Sequence, residues 1–162
     1  MGAVRGRPGG AAGAPLISRA TGDEADALRE LFREYAAWLG AEGWFGDLEA
    51  ELAALSGGYE AILLARDGDR VVGCVALRPL DDGACEMKRL YVRPDARGSG
   101  AGRALAAAIV EEARRLGYRT MRLDTLPAMS AAQELYRSLG FHGTERYNDN
   151  PIPGVLFFEL NL

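Results

Sequence analysis

The chain has 162 residues, of which 48% are hydrophobic and 26% charged, and its net charge is −4. That is the size of one globular domain, large enough to bury a core without disulfides or a structural metal. The acidic balance argues against a surface built to neutralise a nucleic-acid backbone, and no run approaches the roughly 18 apolar residues of a membrane span. Neither nucleic acid nor a membrane is therefore expected as a partner, and a cytoplasmic location is expected.

Residues 1–14 form a Gly/Ala-rich tail with no apolar run long enough for a secretory signal, so they are expected to be disordered, with one domain over 15–162. A short strand covers 15–20. Ala27, Leu28, Leu31, Phe32, Tyr35, Ala36 and Leu39 then recur at helical spacing up to Gly40. A second helix is expected over 47–55, with Leu48, Leu52 and Leu55 on one face. The period then changes. Strands over 59–66, 71–77 and 84–92, joined by Asp67-Gly68 and Asp81-Asp82-Gly83, make an antiparallel meander. An Ala-rich helix over 101–116, a strand over 120–124, a helix over 130–139 and strands over 141–147 and 155–160 complete the chain. The order βααβββαβαββ defines an α/β (α+β) domain around one mixed, mostly antiparallel sheet flanked by helices.

Few residues offer metal or thiol chemistry. Cys74 and Cys85 form no C-x-x-C pair and lie in apolar strand patterns, which reads as two buried, reduced thiols. His142 is the only histidine, so no histidine-based metal site can form and no metal is expected. Lys88 is the only lysine in a chain that otherwise uses arginine.

The most informative segment is Arg97-Gly98-Ser99-Gly100-Ala101-Gly102-Arg103, which leaves a strand and opens a helix. Glycines permit close backbone approach, and the free N–H groups of a helix N-terminus favour an anion such as phosphate. A P-loop would need Gly-Lys-Ser/Thr, which is absent. A dinucleotide turn would need its third glycine at Arg103 or Leu105, although Asp124 at the next strand end does mimic the ribose-binding acid.

Arg-x-x-Gly-x-Gly after a strand resembles the acetyl-CoA signature of the GNAT superfamily of N-acetyltransferases. Residues 85–94 (CEMKRLYVRP) resemble that family's fourth strand and its exit, and residues 132–141 (AQELYRSLGF) its A-x-x-L-Y-x-x-L-G-F helix and strand. The resemblance implies transfer of an acetyl group from acetyl-CoA to a primary amine by direct attack in a ternary complex, with a small-molecule acceptor. It also implies that Leu90, Tyr91 and Val92 bond the pantetheine arm through their backbone. The amides of Arg97, Gly98, Ser99, Gly100, Ala101, Gly102 and Arg103 would hold the pyrophosphate. An N–H near Leu90 would polarise the thioester carbonyl. Tyr136 stands where the family often places the acid that protonates the departing sulfur.

Glu86 is the candidate base, because several family members use a glutamate at this distance upstream of the glycine turn. Strand parity adds an argument: Glu86 and Lys88 share one face, with Met87 and Arg89 opposite, and an unpaired carboxylate would be costly in a core. The alternative is a structural ion pair with Lys88. One departure from the family concerns its pantetheine-bonding asparagine, whose position here is Met129. Trp44 and Phe45 are candidates for the acceptor wall, as is Tyr147 with its neighbours Asn148 and Asn150. The acidic residues of the first helices suit either a cationic acceptor or a solvated surface. A homodimer is compatible with the family. A CoA-binding regulatory or inactive member, or a peptide N-acetyltransferase, is the competing expectation.

Overall fold

In the computed structural model, which describes residues 13–40, 50 and 58–162, strand β1 (Leu16–Arg19) leads into helix α1 (Ala25–Leu39). The meander follows as β2 (Ala61–Asp67), β3 (Arg70–Pro79) and β4 (Ala84–Val92). Helix α2 (Ala101–Arg115), β5 (Thr120–Thr125), α3 (Ser130–Ser138), β6 (His142–Gly143) and β7 (Leu156–Asn161) complete the chain. The seven strands form one sheet in the order β1-β2-β3-β4-β5-β7-β6. Every neighbouring pair is antiparallel except β4–β5, which is parallel.

Helices cover both faces, which is why β3 reads as an unbroken apolar run rather than an alternating one. On one face Leu28, Leu31 and Phe32 of α1 pack on Leu64, Cys74 and Tyr91. On the other, Leu105, Ile109 and Ala113 of α2, together with Tyr136 of α3, pack on Val75, Leu77, Cys85 and Met87. Leu31 and Leu105 are fully buried, each contributing about 1.5–3 kcal/mol of transfer free energy.

A bulge on β4 positions the site. Ala76 pairs with Lys88 and Cys74 with Tyr91, so Val75 faces both Arg89 and Leu90. Arg89 takes a left-handed conformation, φ 57°. The extra residue changes the strand's parity. Met87, Leu90 and Val92 all join the α2-side core, while Tyr91 joins the α1-side core. The simple alternation expected from the sequence therefore holds only as far as Lys88.

Gly73 makes this arrangement possible. It pairs with Val92, and a Cβ there would sit 2.7 Å from the Tyr91 carbonyl oxygen and 3.1 Å from Leu105 Cδ1. Gly73→Ala is expected to destabilise the protein by about 1–3 kcal/mol, read as a lowered urea midpoint. Gly102→Ala is the control, since its Cβ would meet only Val92 Cγ2, at 3.8 Å. Equal midpoints for the two variants would mean that β3 and β4 have slack at the bulge.

The C-terminal strands differ from expectation. Regular pairing over 141–147 shrinks to His142 and Gly143, extended by Thr144 N–H donating to Phe157 O. The chain then leaves the sheet because Tyr147, Asn148 and Asn150 turn their side chains toward β4 and β5. Of the helix expected over 47–55 only Ala50 is described, in helical conformation; the wall candidates Trp44 and Phe45 and tail residues 1–12 lie outside the described residues.

Candidate active site

Strands β4 and β5 pair only through Ala84, Cys85 and Glu86 against Thr120, Met121 and Arg122. Beyond that point β4 stays with β3 and β5 stays with β7 as far as Thr125. The two parallel strands thus part, leaving a cleft lined by Tyr35, Met87, Lys88, Arg89, Leu90, Asp124 and Tyr136. Tyr35 reaches it from α1 and Tyr136 from α3, so the cleft connects the two faces of the sheet. Tyr136 is held by Phe141, with ring centroids 5.9 Å apart, and by Phe158. Burial, reinforced by Tyr35 and Asp124, pushes its phenol well above the ordinary value, so it stays neutral. Burial also raises Tyr35, to about 12, against the opposing charge of Arg89.

The glycine turn lies where β4 exits. Gly98 and Gly100 adopt φ of 82° and 85°, conformations that cost a side-chain-bearing residue strain. Ser99 Oγ donates to Ala96 O at 2.6 Å and accepts from Ala101 N–H at 3.4 Å, closing the turn. Helix α2 begins at Ala101 without a side-chain cap, so the N–H groups of its first turn lack helical acceptors and carry the positive end of the helix dipole. They border a cavity of about 290 Å³ lined by Val92, Ala96, Arg97, Gly98, Gly100, Ala101, Gly102 and Arg103. The two arginines brace the turn. Arg97 Nε donates to Val92 O at 3.0 Å, and its guanidinium lies 4.6 Å from the Trp38 ring centroid and 5.8 Å from that of Tyr91. Arg103 donates to Ser138 Oγ at 2.8 Å.

Glu86 lies at the apex of the splay and is 1% exposed. Four donors surround its carboxylate: Arg78 at 2.8 Å, Tyr147 Oη at 2.8 Å, Asn148 Nδ2 at 3.4 Å and the Lys88 ammonium at 3.5 Å. The Asn148 amide also donates to Asp124 at 2.8 Å, and the Asn150 amide does so at 3.1 Å. Arg146 ties the same loop down through the carbonyls of Asn148 and Asn150. Burial, then the nearby Glu86 charge, raises the Tyr147 phenol far above its usual range.

Leu90 and Tyr136 thus line the cleft, Glu86 and Tyr147 are bonded to each other beside it next to Lys88, and residues 97–103 lie at the β4 exit. Sequence reasoning missed Tyr35, Arg78 and Trp38, and read Asp124 only as a mimic of a ribose-binding acid. The available signal was a lone carboxylate at the end of the strand after the glycine-turn helix. Cys74 and Cys85 are fully buried, and burial pushes both thiols to about 12. Neither is an accessible thiolate able to carry an acyl group. Among the described residues no group of three His, Cys, Asp or Glu could hold a metal ion, and no helix is long and apolar enough to cross a membrane.

A sheet split between parallel strands, with a phosphate-type turn where the first of them exits, matches the arrangement that the resemblance to N-acetyltransferases implied. The profile of the acetyltransferase (GNAT) family matches residues 25–141. An uncharacterised N-acetyltransferase of Schizosaccharomyces pombe is 41% identical over 143 residues, covering 85% of this chain and 88% of its own. An acetyltransferase of the GNAT family from Staphylococcus aureus has the same fold, with a TM-score of 0.77 at 19% identity, covering 91% of this chain and 99% of that one. The Salmonella typhimurium protein yncA, solved with its cofactor acetyl-CoA, superposes with a TM-score of 0.71 at 25% identity, covering 91% and 94%. The chain belongs to the GNAT family and is an acetyl-CoA-dependent N-acetyltransferase.

Proposed function

We propose that the protein moves an acetyl group from acetyl-CoA directly to the primary amine of a small molecule, both substrates being bound together. The observation that carries this reading is the cleft between β4 and β5, which Tyr35 of α1 reaches from one face of the sheet and Tyr136 of α3 from the other. Two faces admit two substrates, and the two buried thiols leave no cysteine to carry an acyl-enzyme.

The residues present fit acetyl-CoA. Gly98 and Gly100 have no atom within 4 Å of a hypothetical Cβ, so the turn is open on its outer side. The first-turn amides of α2 suit a pyrophosphate. The facing edges of β4 and β5 suit the amides of a pantetheine arm, which would run along Leu90, Tyr91 and Val92. When bound, acetyl-CoA supplies the activated acyl group. The backbone N–H near Leu90, where the bulge interrupts the ladder, is assigned to the thioester carbonyl. Tyr136 delivers a proton to the departing sulfur. The four donors around Glu86 favour a positioning role for it, holding Tyr147 and Asn148 at the acceptor side.

Calorimetry with acetyl-CoA tests the cofactor site. At a hundredfold excess over Kd, binding stabilises the native state by about 2.7 kcal/mol, a rise of roughly 5–10 °C in Tm for a domain of this size. Gly100→Asp puts a side chain and a negative charge into a left-handed position beside the helix N-terminus. It is expected to abolish the heat of binding while the circular dichroism spectrum is retained. Equal binding by the folded variant would remove the turn from the cofactor site.

A further inference from the structure

We infer that the acceptor is a small zwitterion whose carboxylate lies close to its amino group, with Lys88 and Arg78 facing the carboxylate and Asp124 holding the ammonium and taking its proton. The inference rests on the acetyl-transfer reading above and adds the substrate class.

The charges of Arg78, Lys88, Glu86 and Asp124 balance in number but not in place. Arg78, at 2.8 Å, and Lys88, at 3.5 Å, share the single carboxylate of Glu86, which leaves one positive charge in surplus. Lys88, the only lysine of the chain, lines the cleft. Asp124 has the complementary vacancy. Its two hydrogen bonds come from neutral amides, Asn148 and Asn150, and both fall on Oδ2. Among the described residues no donor reaches Oδ1, and no cation pairs with this carboxylate. Asn148 Nδ2 bridges Asp124 Oδ2 and Glu86 Oε1, and Lys88 approaches that same Oε1. Lys88 and Asp124 line one cleft and are linked through Glu86 Oε1 and Asn148 Nδ2 by contacts of 3.5, 3.4 and 2.8 Å, so a ligand seated between them would meet a cation and a carboxylate.

A polycationic acceptor finds no such match. Of the described acidic residues at and before α1, all but the exposed Asp23 are already paired: Glu30 and Glu34 with Arg93, Asp26 with Arg29, and Glu24 with Arg66.

The proton balance closes on these residues. One ammonium proton passes to Asp124 and on to solvent. The nitrogen–carbon bond forms as the carbon–sulfur bond breaks, the Tyr136 proton goes to sulfur, and the second proton shed by nitrogen restores the phenol.

Matched acceptors separate the possibilities: L-alanine against ethylamine, L-phenylalanine against phenethylamine, and spermidine as the polycation, each followed by release of the CoA thiol. At least one amino acid is expected to exceed its decarboxylated partner in kcat/KM by about tenfold or more, the ratio set by one charge-assisted hydrogen bond. Lys88→Met should collapse that ratio and Lys88→Arg should restore most of it. Asp124→Asn should lower kcat for every acceptor while leaving the calorimetric acetyl-CoA affinity intact. Equal rates within the pairs, a preference for spermidine, a ratio that survives Lys88→Met, or no turnover of either amino acid by a protein that binds acetyl-CoA would each overturn the inference. Failure to bind acetyl-CoA at all would instead overturn the reading beneath it.

Discussion

Tyr136→Phe is expected to keep the fold and the acetyl-CoA affinity while lowering kcat by about 10²- to 10⁴-fold, the usual contribution of a positioned general acid. The substitution removes one hydroxyl from a ring already gripped by Phe141 and Phe158, so its packing survives. No hydrogen bond ties that hydroxyl to another described residue, and the ring lines the cleft beside Leu90 and Asp124. Nothing structural should therefore be lost with it. Its neutrality, enforced chiefly by burial, gives it a proton to donate when a thiolate forms nearby. Single-turnover measurements should show the loss in the chemical step. An unchanged rate there would leave Tyr136 a packing residue.

Glu86→Gln is expected to lower stability by about 2–4 kcal/mol, between the value of a hydrogen bond to a charged group and that of a broken buried ion pair. The glutamine cannot neutralise Arg78 and Lys88, which would then face each other across an uncharged amide. Arg78 is partly exposed and can turn to solvent, which keeps the cost below that of stranding a buried charge. The loss of kcat should be uniform with pH, because the defect is a displaced Tyr147 and Asn148 rather than a missing proton acceptor. A loss concentrated at low pH, where the amine acceptor is protonated, and fading as free amine accumulates, would instead make Glu86 the base. Denaturant titrations and a pH series of kcat on the same variant separate the two roles.

The elements of the fold were legible wherever a period or a punctuation residue marked them. Strand β4 runs over Ala84–Val92, as the turn at Asp81-Asp82-Gly83 indicated, and α2 begins at Ala101, directly after the glycines. The bulge at Arg89 was not legible, because an inserted residue leaves no compositional mark when its neighbours on both faces are apolar or long-chained. Parity counting across it consequently failed for Arg89 and beyond. The role of Gly73 was hidden for a related reason: its requirement comes from a carbonyl on the neighbouring strand, 2.7 Å from where a Cβ would lie. At the site, residue types suggested Glu86, Tyr136 and Tyr147. The pairing of Glu86 with Lys88 stood as an alternative in the sequence; only the tertiary structure adds Arg78 to it, and shows Asn148 and Asn150 converging on Asp124, which lies 24 and 26 positions earlier in the chain.

The split between β4 and β5 also gives the sheet an edge in its interior. Strand edges with unpaired backbone groups are templates for foreign strands, and proteins usually hide them at a margin under charge, proline or a short length. Here two such edges face each other in the middle of the molecule, one bent by a bulge and both overhung by tyrosines. An acetyl-CoA arm with two amides, lying between them, would act as a removable rung of the ladder. The same contacts that present a thioester would then finish the sheet, and the resistance of the purified protein to strand-mediated self-association would follow its supply of acetyl-CoA.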